Sequence, residues 1–180
     1  MEIQKCWNWK SGLLFLALLG AATCPASAQQ NHDNRPPQSK YTLASVCGDY
    51  GVVGVYGANI ARVLGTTAMD GRGKLAGSAI VNQPGPNGTR TLTGIGLAAK
   101  YTVNTDGTGI MVFTVTLPDG SMATVTEDFV ITRTKEIDGT LIATEIQDAQ
   151  EVPSAVIEDS SLVFHTYTLR GAAKSCGSEH

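Results

Sequence analysis

The sequence predicts an all-β protein: a single antiparallel up-and-down β-barrel of about eight strands, after a cleaved signal peptide. Three observations carry this expectation. Apolar and polar residues alternate with period two through most of the chain beyond residue 46, without a sustained apolar stripe at helical spacing. Asp-Gly and other Gly- or Pro-containing turn sequences recur at short intervals. The 20 glycines, set against only 6% aromatic residues, suit a chain with many turns. Short successive turns favour a meander, and closing the meander into a barrel removes exposed strand edges. The expected organisation is a signal peptide over residues 1–28, a disordered polar leader over 29–46, the barrel over 47–176 and a tail over 177–180.

The first segment is a processing signal. Lys5 and Lys10 precede a short apolar run, and Ala26-Ser27-Ala28 offers a small-x-small cleavage site before Gln29. The run falls short of the roughly 20 apolar residues a membrane span needs, so no span is expected after cleavage. Ala21 and Thr23 fit poorly around Cys24 as a lipidation site. Gln29 to Lys40, with Pro36-Pro37, has little to bury, and the fold is expected to start near Tyr41.

The strands follow in order. Gly48 to Gly57 is a glycine-rich strand. In Ala58 to Met69, Ile60, Val63 and Leu64 have helical spacing, but Gly65 and two threonines favour a strand. Asp70-Gly71-Arg72-Gly73 turns into a strand over Lys74 to Asn82, and Pro84 to Gly88 turns again. Thr89 to Leu97 runs on into Ala98 to Asn104. The clearest stretch is the meander from Lys100 to Lys135. Met111, Phe113, Val115 and Leu117 alternate between the turns Asp106-Gly107-Thr108-Gly109 and Pro118-Asp119-Gly120, and Ala123, Val125, Phe129 and Ile131 resume the pattern. Glu136 to Gly139 turns into Thr140 to Ala149, a loop surrounds Pro153, and Leu162 to Arg170 is the last strand. All seven prolines are expected outside the strands.

Charge narrows the function classes. The full chain carries a net charge of -3, and cleavage would leave 11 basic and 15 acidic side chains. No basic run is present, so neither nucleic acid nor an anionic membrane surface is an expected partner. Cleavage after Ala28 removes Cys6 and Cys24, leaving Cys47 and Cys176 near the two ends of the barrel. An even count in an exported chain points to one disulfide between them, worth about 5 kcal/mol in the chain-entropy view. Neither cysteine has a nearby ligand partner in the sequence, so no metal site is expected.

The candidate binding residues are Glu127, His165, Tyr101 and Tyr167. Glu127 shares a strand face with Val125, Phe129 and Ile131. A carboxyl group on an apolar face has either a raised pKa or a dedicated partner. It therefore reads as an acid inside the barrel, or as a charge that reaches solvent or pairs with Arg133. His165, beside Phe164 and Tyr167, is the one histidine within the barrel region, because His32 and His180 fall in the tails. It reads as a general base or as an ordinary hydrogen-bonded strand residue. Tyr50, Tyr56, Tyr101 and Tyr167 are pocket-lining or core aromatics. Glu145 and Asp148 point to opposite sheet faces, so at most one can join Glu127. Asn104-x-Asp106-Gly107 and Asp70-Gly71 lack the rest of a calcium loop and read as turns. The Gly-x-Gly pairs have no following helix and are not phosphate loops, and no cofactor is expected.

Asp70-Gly71-x-Gly73-x3-Gly77, Tyr101-Thr102-Val103-Asn104-x-Asp106-Gly107-Thr108-Gly109 and Asp128-Phe129-Val130-Ile131 together resemble exported bacterial proteins related to the allene oxide cyclase-like, lipocalin-like barrels. The resemblance spans about Gly48 to Arg170 and rests mainly on turns. It implies a barrel with a lumen and a secreted or periplasmic location. The wider group includes plant allene oxide cyclases, dirigent-like proteins and bacterial spiro-ring-forming cyclases, but no catalytic residue of theirs transfers to a position here. Two functions follow as expectations. One is a non-catalytic exported barrel that binds a small apolar ligand or a protein partner. The other is a cyclase or isomerase that works by confinement in the lumen. A plugged or purely apolar lumen favours the first; an open pocket with Glu127, or His165 and a tyrosine, aimed inward favours the second. The sequence does not indicate an oligomeric state.

Overall fold

The computed structural model describes residues 40–56, 61–151 and 162–171. The expected signal segment, residues 57–60, the expected loop at Pro153 and Cys176 lie outside the described residues. Eight strands form one closed antiparallel barrel in strict sequence order, with the first and last paired at a seam. They are β1 (Cys47–Tyr56), β2 (Ala61–Asp70), β3 (Lys74–Pro84), β4 (Arg90–Val103), β5 (Thr108–Thr116), β6 (Met122–Ile137), β7 (Thr140–Gln150) and β8 (Val163–Gly171). Among the described residues the remaining regular structure is two 3-10 turns, Leu43–Ser45 and Pro86–Gly88. No described helix is long and apolar enough to cross a membrane.

Alternation explains the strands. On β5, Met111, Phe113 and Val115 are buried, while Ile110, Val112 and Thr114 face outward. On β6, Val125, Glu127, Phe129 and Ile131 are buried in the same phase. Each Val-to-Phe-sized side chain taken fully into the lumen contributes about 1.5–3 kcal/mol. The ambiguous stretch before Asp70 is strand, because its period-two set Ala61, Val63, Thr67 and Met69 is buried. Two boundaries differ from expectation. Pro84 is the last residue of β3, where the missing N–H lies at the end of the ladder. The fold also begins before residue 47: Ser45 and Val46 are buried, and Thr42 N donates to Ser45 Oγ. The polar leader therefore ends earlier than residue 46.

The turns are self-capped. Asp70, Asp106 and Asp119 each accept, through Oδ1, backbone N–H groups just ahead of them: Arg72 and Lys74, Thr108, and Ser121. At Asp70 burial opposes ionisation but the Lys74 and Arg72 N–H groups outweigh it; the Thr108 N–H and hydroxyl at Asp106, and the Ser121 hydroxyl and N–H at Asp119, hold those carboxyls below their ordinary range. This is turn chemistry, as the sequence suggested. Asp138 and Gly139, at φ 50° and 76°, make the two-residue β6–β7 connection, a hairpin type that requires positive φ at both central positions.

The barrel has two unlike ends. At the strap end, where the β2–β3, β4–β5 and β6–β7 turns lie, the segment up to Val46 is tied in by tyrosine. Tyr101 Oη donates to Val46 O at 2.7 Å and accepts from Gly71 N at 3.0 Å. Tyr50 Oη donates to Ala143 O at 2.8 Å. The other end carries the β3–β4 and β5–β6 turns, together with Tyr56, Gln150 and Val163.

Candidate functional site

Strand register assembles a polar corner on the inner wall. One row runs Gly54–His165–Asp148–Phe129–Gly109 across β1, β8, β7, β6 and β5. The next row sets Gln150 against Glu127, and Glu127 against Met111. The two large rings of the first row each face a glycine. A Cβ at Gly54 would collide with the His165 ring, and a Cβ at Gly109 with the Phe129 ring. The glycines thus let His165 and Phe129 lie against the neighbouring strand.

Asp148 is the hub of the corner. Its Oδ1 accepts from His165 N at 2.8 Å and lies 3.0 Å from His165 Nδ1. Its Oδ2 accepts from Tyr167 Oη at 2.7 Å. Glu127, only 3% exposed, brings Oε2 to 3.6 Å from His165 Nδ1, beyond hydrogen-bond reach. Among the described residues, two buried side-chain polar atoms lack a hydrogen-bond partner, Thr67 Oγ1 and Glu127 Oε2. A hydroxyl tolerates this more cheaply than a carboxylate, so Glu127 is the conspicuous case.

Burial and charge sort the protons. Burial is the chief cause that pushes the Glu127 carboxyl up to about 8, and the Asp148 charge and hydrogen bond add to it against the pull of His165. Burial also opposes ionisation of Asp148, but the His165 charge and the hydrogen bonds it accepts hold it below the ordinary range. His165 is raised to about 10: burial works against this, and the charge and hydrogen bond of Asp148 outweigh it, with Glu127 helping. Burial, followed by the two carboxyl groups, pushes the Tyr167 hydroxyl well up. At neutral pH the corner thus holds an Asp148–His165 ion pair beside an uncharged Glu127.

The corner borders a small cavity of about 30 Å³, walled by Val52, Val63, Ile95, Phe113 and Val125 and reached by Tyr56 and Gln150. That is room for two or three water molecules at about 10–15 Å³ each. A second hollow of about 290 Å³ lies among Val81, Gln83, Thr93 and Leu117, toward the same end of the barrel. A larger hollow, about 1160 Å³, is elsewhere, along the outer row Asp49, Ala68, Ala76, Ala98, Thr114 and Thr124. It is shallow and borders none of these buried groups, so the chemistry belongs to the small cavity.

Of the four expected binding residues, the structure brings Glu127, His165 and Tyr167 together. Tyr101 is not with them; it is spent on the strap, where burial pushes its hydroxyl up to about 12. The expected alternative of a Glu127–Arg133 pair is overturned. Six residues of extended strand put Glu127 and Arg133 roughly 20 Å apart, and Arg133, at a register irregularity in β6, is 76% exposed and lies 3.7 Å from Glu145 instead. Glu145 is further held by Thr132 Oγ1 at 2.8 Å, so Asp148 is the carboxylate that joins Glu127. Asp148 and Gln150 were missing from the expected site, although both are in phase with Ile146 on β7. The sequence showed no metal site, yet Glu127, Asp148 and His165 present ligand atoms all within 4.8 Å of one another.

Comparison with family models, curated proteins and solved structures finds no match. The barrel alone does not distinguish the allene oxide cyclase-like group from other closed barrels.

Proposed function

We propose that the barrel binds a small molecule that is apolar over most of its surface and carries one polar group. The observation that supports this is an apolar cavity closing on a polar corner in which Glu127 Oε2 is buried without a partner. Binding sites of this kind are mostly apolar, with a few convergent polar groups that fix orientation. The ligand's polar group takes the unfilled position at Glu127, and its apolar part extends toward Thr93 and Leu117. The cavity at rest is smaller than such a ligand, so side chains at Val115 and Leu117 move on entry.

Native mass spectrometry of the protein purified from the exported fraction tests this. The expected result is an adduct that disappears on denaturation, and that Glu127→Gln retains less well. Mature protein without an adduct, whose melting temperature is unchanged by a panel of small apolar alcohols, ketones and epoxides, overturns the reading.

A second reading is a lumen-confined cyclase or isomerase. The inward aim of Glu127, His165 and Tyr167 favours it, since confinement with a few placed polar groups can supply much of a barrier reduction. A ligand recovered with unchanged mass but altered connectivity distinguishes it from simple binding. Export and the Cys47–Cys176 disulfide belong to the same proposal. Cys47 is buried at the start of β1, beside the seam with β8. Intact mass before and after reduction and alkylation checks the bond, and two free thiols in the exported protein would exclude it.

A further inference from the structure

We propose that Glu127, Asp148 and His165 form a site for one divalent ion of the zinc class, with an open coordination position facing the cavity. The argument begins with distances. His165 Nδ1 lies 3.0 Å and 3.2 Å from the two Asp148 oxygens and 3.6 Å from Glu127 Oε2. Ligands about 2.0–2.2 Å from a tetrahedral ion stand roughly 3.3–3.5 Å apart, in the range these contacts span. The Glu127 contact is too long for a hydrogen bond and suits two ligands that share an ion.

The orphaned oxygen is the independent observation. A carboxyl oxygen buried among apolar walls without a hydrogen-bond partner is costly, and a bound ion would take the place of the protons that Glu127 and His165 hold at neutral pH. An ion bridging Glu127 Oε2, His165 Nδ1 and Asp148 removes that cost and leaves each group a favourable partner. The outer supports are also in place. Tyr167 Oη fixes one oxygen of Asp148 and His165 N fixes the other, which is how carboxylate ligands are commonly oriented. His165 itself is held against β1, in the space Gly54 leaves free.

Ligand chemistry selects the ion. One imidazole and two carboxylates suit zinc and its first-row neighbours. Calcium needs six to eight oxygens, and magnesium keeps most of its water, for which this cavity lacks room. Three protein ligands and a fourth position toward Val63 and Phe113 describe an open site rather than a closed structural one. The site forms from the barrel alone; with the ion on Glu127 Oε2, the polar group of an organic ligand meets the open coordination position instead of the Glu127 oxygen itself.

The test uses the mature chain, stripped with chelator and then titrated with Zn²⁺, and with Mg²⁺ and Ca²⁺ for comparison. Calorimetry should give one Zn²⁺ per chain, with a raised melting temperature and no response to Mg²⁺ or Ca²⁺. Co²⁺ in place of Zn²⁺ should show the visible absorption of a tetrahedral site. Tyr167→Phe should weaken binding about 10–100-fold, and Glu127→Gln at least as much. Should Glu127→Gln fail to fold by circular dichroism, Tyr167→Phe carries the comparison. A His32→Ala/His180→Ala variant should bind unchanged, which excludes the tails. Absence of Zn²⁺ uptake overturns the site, as does stoichiometric uptake that survives both Glu127→Gln and Tyr167→Phe.

Discussion

The two ends of this barrel bury polar groups by opposite rules. At the strap end, Tyr50 and Tyr101 place hydroxyls on backbone carbonyls, and the one unpartnered buried oxygen found there among the described residues is a neutral hydroxyl, Thr67 Oγ1 opposite Tyr50. At the other end, Asp148 is saturated with donors while Glu127, one strand away, is left short by one contact. Paired hydroxyls tie elements together and are finished structure. A carboxyl group that burial has pushed toward neutrality, with an oxygen still open, is unfinished without something to bind. The difference is the reason for placing the proposed site at that end.

Substitutions at the two ends should therefore fail differently. The largest effect is expected from Asp148→Ala, which strips the imidazolium of its counter-charge and Tyr167 of its acceptor. A loss of about 3–5 kcal/mol in urea denaturation is expected, as for a broken buried pair. A loss under about 1 kcal/mol would mean that the hub is not a hub. Tyr101→Phe, at the strap end, leaves the Val46 carbonyl and the Gly71 N–H without their shared hydroxyl. It should cost about 1–3 kcal/mol and leave ligand and ion binding untouched. If binding falls along with stability, the two ends are not separable.

Glu127→Gln sharpens the comparison through pH. The folded protein holds the Glu127 proton more tightly than the unfolded chain, whose value is near 4.5. The group thus supports folding fully below the unfolded value and loses that support as pH rises through about 8. Gln has no proton to lose. With chelator present, both proteins should melt alike near about pH 4, and the variant should melt higher near about pH 9. Zn²⁺ should reverse the order at high pH, because the variant loses its ion. Equal melting temperatures throughout would show Glu127 to be solvated. The smallest effect is expected from Arg133→Ala. Its partner is Glu145 on an exposed surface, so the change should stay within about 0.2–1 kcal/mol.

Most of the fold was legible in the sequence because a closed meander uses only neighbouring strands. Alternation reports which face is buried, Asp-Gly and Pro-x-Gly sequences report where the chain reverses, and closure is favoured because it removes the exposed edges of the meander. The same phase rule placed Glu127 inward. The rest of the site was harder to read, for specific reasons. A Glu127–Arg133 pair was never within reach, because six residues of extended strand hold them roughly 20 Å apart and Arg133 sits beside Glu145 at a register shift. Asp148 and Glu145 read as equivalent candidates until register set Asp148 opposite His165. Tyr101 and Tyr167 share an inward phase and a residue type, and only their positions along the barrel separate a strap tie from a site residue. Gly54 offered no chemical signal of its own, because what it supplies is the space in which His165 lies.

The seam between β1 and β8 bears on how the proposed site is completed. Every other strand pairing joins consecutive strands, whereas Gly54 meets His165 across about 110 residues of chain. Long-range pairings of this kind are slow to form, because the entropy of bringing distant segments together precedes the contacts that reward it. The β6–β7 hairpin can bring Glu127 and Asp148 into place early, since its strands are adjacent. The His165 wall is complete only when the circle closes. The proposed organic ligand needs that closed wall, so its uptake is expected to report, in a refolding experiment, the moment the barrel shuts.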